Sequence, residues 1–162
     1  LGDVYKRQGQ IQGFFDMPVD NLFTTPLFAR YIKKKLKNIQ NDLFDLGADL
    51  CVPISENNNV RLRVSISQIE TLEAEIDTMN NILKPLNSFI LPGGCKSATF
   101  LHLARTICRR AERSVVSLRS KEEINDNTLV YLNRLSDWLF VASRVENQEN
   151  STDVLWSPGK NK

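Results

Sequence analysis

The chain of 162 residues is poor in the side chains that most often advertise chemistry, with one histidine, His102, and three cysteines, Cys51, Cys95 and Cys108. The thiols are odd in number, far apart and without a C-x-x-C spacing, which excludes a disulfide framework and a thiolate zinc site. Nothing near His102 completes a triad or a ligand set, so it reads as a structural histidine. No apolar run approaches the roughly 18 residues of a membrane span, and no basic-then-apolar leader is present, so no membrane role is expected. An excess of one charge sign is also missing. Lys+Arg 21 against Asp+Glu 19 leaves +2. That balance excludes a protein that holds nucleic acid by bulk electrostatics, and any anion site must be local. Internal repeats, low-complexity blocks and alternating strand patterns are absent too. What remains is one domain's worth of soluble chain suited to a reducing cytoplasm.

The positive signal is helical. From Leu27 to Leu50, the residues Ile32, Leu36, Ile39, Leu43, Leu46 and Leu50 recur at alternating four- and three-residue steps, the seam of a long bundle helix that Pro53 ends. Lys33, Lys34 and Lys35 fall on its other faces. Asn57-Asn58-Asn59 marks a loop. Ser65-x-x-Gln68 or Ser67-x-x-Glu70 then offers a capping box before Ile69, Leu72, Ile76, Met79 and Leu83. After Pro92-Gly93-Gly94, Ser97 is the expected cap of a third helix, with Leu103, Ile107, Ala111 and Leu118 as its inward stripe. Asn125-Asp126-Asn127 caps a fourth, whose inward stripe is Leu132, Leu135, Leu139 and Ala142. The expected architecture is all-α: an antiparallel bundle of four long helices, plus a possible short helix near Gln10–Phe15. Its organisation is an irregular N-terminal segment 1–26, a bundle 27–147 and a tail 148–162, extended or loosely docked.

At about 100° per residue, Arg105, Arg109 and Glu112 share one face of the third helix, with Arg110 and Arg113 beside it. Guanidiniums are always charged and offer forked donors that match phosphate oxygens, so this face suits a polyphosphate. It also suits bulk water, with weak pairs at helical spacing, and taken alone the solvent reading is favoured. On the fourth helix, Asn133, Asp137, Phe140 and Arg144 make a second polar face. Two such faces imply either solvent or a site shared between subunits. Gly93-Gly94-Cys95-Lys96-Ser97 does not meet the phosphate-loop spacing and reads as a turn.

In order along the chain, Phe89-Ile-Leu-Pro-Gly-Gly, Arg105-x-x-x-Arg109-Arg110-Ala111-Glu112-Arg113 and Tyr131-Leu-Asn133-Arg134-Leu-Ser136-Asp137 resemble the PduO-type ATP:cob(I)alamin adenosyltransferases. The resemblance spans roughly Leu36 to Gly159. It implies a ferritin-like bundle, a homotrimer with active sites between subunits, and transfer of the 5′-deoxyadenosyl group of ATP to cob(I)alamin with release of triphosphate. By the same resemblance, Arg109, Arg110, Ala111, Glu112 and Arg113 lie along the nucleotide and Asn133 meets its nucleoside or phosphate part. Arg105 belongs to the interfacial catalytic network, Phe89 covers the lower face of the corrin, and Mg2+ accompanies the ATP. Members of the family begin with a Thr-Arg-Thr-Gly-Asp-type loop and an Asp-Glu-Leu-Asn-type helix segment, and neither is found before Leu27. With Leu1 in place of Met, the expectation is a fragment of a longer protein. Two other readings stay open: a corrinoid carrier or sensor of the same fold without catalysis, and a structural bundle whose arginine face meets an acidic partner.

Overall fold

Ile32, Leu36, Ile39, Leu43, Leu46 and Leu50 line one side of helix α1 (Pro26–Cys51), and each is buried. The structure, a computed structural model, describes residues 26–54, 62–150 and 152–160; the expected helix near Gln10–Phe15 and the Asn57-Asn58-Asn59 loop lie outside them. Helices α2 (Ile66–Asn80), α3 (Lys96–Arg119) and α4 (Asp126–Asn150) follow. This is the all-α, four-helix architecture that the apolar periodicity predicts.

Cross-helix contacts give the directions. Asp42 meets Gln68 and Lys35 meets Glu75, so α1 and α2 run antiparallel. Asp42 also accepts from the Tyr131 hydroxyl and Asp49 from Asn125, so α1 and α4 are antiparallel as well. Ser97 reaches Glu146 while Glu112 reaches Asn133, which sets α3 antiparallel to α4. Helix α4 therefore touches every other helix. Its burial shows it: beyond the expected Leu132, Leu135, Leu139 and Ala142, the side chains of Tyr131, Ser136, Trp138, Ser143, Glu146 and Asn147 are also enclosed.

A polar network lies inside this apolar frame. Trp138 Nε1 donates to the buried carboxylate of Glu75 at 2.8 Å, and Lys35 closes on the other oxygen at 2.5 Å. The Asp49 carboxylate receives Arg63 at 2.6 Å, the Val64 amide at 2.8 Å and Asn125 at 2.7 Å, which locks the end of α1 to the starts of α2 and α4. A buried carboxylate is tolerable only with such partners.

The caps refine the expectation. Ser65 N–H donates to Gln68 Oε1 at 2.9 Å, so the first of the two candidate boxes is used. Asn125 caps α4 through the Asn127 amide at 3.1 Å. For α3 the expected cap is corrected. Cys95 holds that position, its sulfur accepting from the Ala98 amide, because Ser97 sits inside the first turn and donates to Glu146 at 2.6 Å.

A second correction concerns which way α3 faces. Leu103, expected in the core, is 47% exposed, and Ile107 and Leu118 are only partly buried. The buried row is Ala98, Leu101, Ala104, Cys108, Ala111 and Val115. The reason is steric: small side chains let α3 pack closely on α4, close enough for the Cys108 thiol to reach Leu132 O at 3.3 Å. Rotating the buried row this way brings Arg105 and Glu112 to its edge instead of opposite it.

The tail is tied down. Ile90 and Leu155 form an isolated antiparallel bridge, with Leu91 N–H to Val154 O and Trp156 N–H to Phe89 O both 2.8 Å. Arg144, expected on a polar face, is instead buried; it donates to Lys84 O at 2.7 Å and pairs with Asp153 at 3.3 Å.

Candidate functional site

Arg105, Arg109 and Glu112 recur at four- and three-residue steps along α3, and Asn133, Asp137 and Phe140 do the same along α4. Because the helices are antiparallel and packed through small residues, the two stripes meet. Asn133 Nδ2 donates to Glu112 Oε1 at 2.9 Å. Two turns away, the Arg105 guanidinium lies 4.9 Å from the centroid of the Phe140 ring. The polar faces of the two helices thus meet along a seam, at Glu112–Asn133 and at Arg105–Phe140, while Arg109, Arg110 and Arg113 stay exposed to solvent.

Carboxylates along the seam hold the cations in place. Glu112, mostly buried, lies 3.5 Å from Arg109. Arg134 donates to Asn133 Oδ1 and to Asp137, each at 2.8 Å. Both Asn133 and Glu112 are therefore oriented by neighbouring side chains. Arg105 is different. It makes no ion pair among the described residues, and its Nε is buried without a hydrogen-bond partner there. A half-buried guanidinium stacked on an aromatic face with unspent donors is suited to an incoming acceptor.

Of the other residues singled out in the sequence, Arg110 and Arg113 are exposed beside the seam. Ala111 is buried and its methyl group faces the core, so it presents no side chain to the arginine face. Phe89 stands on the segment that joins α2 to α3. Arg105 lies nine residues into α3, roughly 14 Å along its axis. The structure joins Glu112 to Arg109 and to Asn133, sets Arg105 on the Phe140 ring two turns away, and carries Phe89 on the loop before α3. Its ring is 76% exposed and packs edge-on against Trp156, centroids 5.9 Å apart. Two features escaped the sequence reading: Phe140 as the platform under Arg105, and Trp156 against Phe89. The first could have been found by setting the two stripes in antiparallel register.

Two buried titratable groups, Cys108 and His102, lie beside the seam. Burial, helped by the Glu112 charge, pushes the Cys108 thiol up to about 12. Burial and then the neighbouring Arg105 charge lower His102, whose ring sits 6.3 Å from that of Phe140. Both causes favour the neutral ring. Among the described residues no three His, Cys, Asp or Glu side chains gather to hold a metal ion. None of the described helices is long and apolar enough to cross a membrane.

Among the described residues, the guanidinium-rich seam between two antiparallel helices has the charge and donor geometry that suit an anionic ligand. The family model for cobalamin adenosyltransferase matches residues 19–146, and the chain belongs to that family. A corrinoid adenosyltransferase from Mycobacterium tuberculosis is 50% identical over 127 residues, covering 76% of this chain and 65% of the relative. The chain thus spans about two thirds of the length of that relative. One from Bacillus subtilis is 42% identical over 138 residues, covering 85% of this chain and 69% of the relative. Among solved structures, a phenylalanine-to-alanine variant of a PduO-type ATP:corrinoid adenosyltransferase from Lactobacillus reuteri, complexed with cobalamin and ATP, superimposes with a TM-score of 0.82 at 32% identity. That match covers 94% of this chain and 83% of the other.

Proposed function

We propose that the protein is a corrinoid adenosyltransferase that moves the 5′-deoxyadenosyl group of ATP onto cob(I)alamin. The observation that carries this reading is the α3–α4 seam, where Glu112 and Asn133 meet and hold Arg109 beside the unspent Arg105. The nucleophile is the substrate cobalt in its Co(I) state. Its electron pair forms the cobalt–carbon bond, the C5′–O bond breaks, and that pair leaves with triphosphate.

Each residue then has a stated task. Arg109, with Arg110 and Arg113 beside it, neutralises charge that builds on the departing triphosphate. Glu112 orients Arg109, and Asn133 supplies amide groups to the nucleoside or phosphate part. Arg105 offers its donors where nucleotide and corrin meet. Phe89 covers the lower corrin face, so that an axial ligand is displaced and Co(I) becomes accessible. Ala111 contributes by its smallness alone, letting the arginine helix pack tightly. No proton transfer is needed, and burial disfavours the charged forms of His102 and Cys108.

In this reading the active protein is a homotrimer with the seam at a subunit boundary, and it works in the cytoplasm, where Cys51, Cys95 and Cys108 stay free thiols. Magnesium travels with the nucleotide phosphates. The described residues provide no cage for it, since Glu112 and Asp137 are engaged by arginines, and no step is assigned to it.

The test is to incubate the protein, expressed from its full reading frame, with chemically reduced cobalamin, ATP and magnesium. Adenosylcobalamin and triphosphate in equal amounts support the assignment. Corrinoid binding with no product supports the carrier reading instead.

A further inference from the structure

Phe89 presents an unusual combination: a large apolar ring, 76% exposed, on backbone that is tied down on both sides. Its carbonyl accepts from Trp156 N–H at 2.8 Å, its neighbour Ser88 donates Oγ–H to Trp156 O at 2.9 Å, and two residues on Leu91 N–H donates to Val154 O at 2.8 Å. The Trp156 indole meets the Phe89 ring edge-on at 67°. Among the described residues this is the ring contact that Phe89 makes.

The strap that carries Trp156 is anchored independently of Phe89. Asp153 is gripped by the buried Arg144 and by Asn147 at 3.2 Å, both on the last turns of α4. Asn147 also donates to Gly93 O at 3.1 Å and accepts from Cys95 N–H at 3.0 Å. Helix α4 therefore positions the strap and the far end of the Phe89 loop at once, and the strap closes over the near end.

We propose that Trp156 is a positioning residue for Phe89: the strap Asp153 to Trp156 sets the height and tilt of the ring that faces the corrin. The inference rests on the adenosyltransferase reading, because it assigns Phe89 a ligand face. An exposed ring without a packed neighbour samples several rotamers, and fixing it beforehand removes that entropy from the binding step.

The experiment uses the full-frame protein and the variants Trp156→Ala and Trp156→Phe, with far-UV circular dichroism to check helicity. The first readout is kcat and KM for ATP and for cobalamin. The second is the fraction of bound cob(II)alamin that is four-coordinate, measured by electron paramagnetic resonance with ATP present. The expected result for Trp156→Ala is an unchanged KM for ATP, a kcat lowered about tenfold and a reduced four-coordinate fraction. Trp156→Phe, which keeps a ring edge at the same place, recovers most of both. A wild-type four-coordinate fraction in Trp156→Ala overturns the proposal, as does a Trp156→Phe variant no better than alanine at equal helicity. Absence of transfer by the unsubstituted protein overturns the functional reading itself and is read separately.

Discussion

Glu112 and Asn133, on different helices and 21 residues apart, share a hydrogen bond of 2.9 Å, and the other Glu112 oxygen faces Arg109. One carboxylate thereby fixes a cation on its own helix and an amide on the next. Glu112 is consequently the point where the arginine helix and the Asn133 helix are coupled.

Removing that carboxylate charge while keeping its shape separates orientation from folding. Glu112→Gln is expected to raise KM for ATP about tenfold with stability changed by less than about 1 kcal/mol, because the amide still pairs with Asn133 but no longer tethers Arg109. Asn133→Asp is expected to destabilise by about 1–3 kcal/mol, since it sets two carboxylates against each other in a half-buried seam. Urea unfolding and steady-state kinetics check both.

Gly94 has φ +103, and a Cβ there would collide with the Asn147 side-chain amide. Gly94→Ala is expected to cost about 2 kcal/mol or more in urea unfolding, from left-handed backbone strain and from displacement of Asn147. A loss below about 0.5 kcal/mol would show that the loop relaxes freely.

Cys108 is expected to resist alkylation in the folded protein. Cys108 is buried, its thiol donates to Leu132 O at 3.3 Å, and its ionisation is pushed to about 12. Iodoacetamide applied to the native protein should leave Cys108 intact until the chain unfolds. Peptide mass spectrometry after a timed quench reads this directly.

Acid sensitivity follows from His102. Its folded value is depressed below 6.5, mainly by burial and secondarily by Arg105. The unfolded chain takes up this proton before the folded one does, so stability is full above the unfolded value and is lost as pH falls through the folded one. Urea midpoints measured from about pH 7 down to pH 5 should decline, and His102→Gln should flatten that decline.

Much of the architecture was legible because α1 writes its inner face in large aliphatics, from Ile32 to Leu50. The inner face of α3 was legible only in part: Ala111 was placed on it, but Ala98 and Cys108 were not, because their smallness is a packing property that hydrophobic weight does not register. Leu103 and Leu118 outweigh them in a sequence and pack less well in the fold. In α4, Ser143, Glu146 and Asn147 are polar yet enclosed, since their partners come from other segments. The arginine and Asn133 signatures were readable in outline. That they form one seam needed the register of two helices, and the docking of Trp156 on Phe89 needed a long-range bridge of a single residue pair.

The most direct test of the account is kcat/KM for adenosyl transfer by Arg109→Ala in the full-frame protein. With the circular dichroism spectrum unchanged, the expected fall is about 10³-fold, the scale of losing a donor that stabilises developing charge. Transfer at the unsubstituted rate would contradict the account.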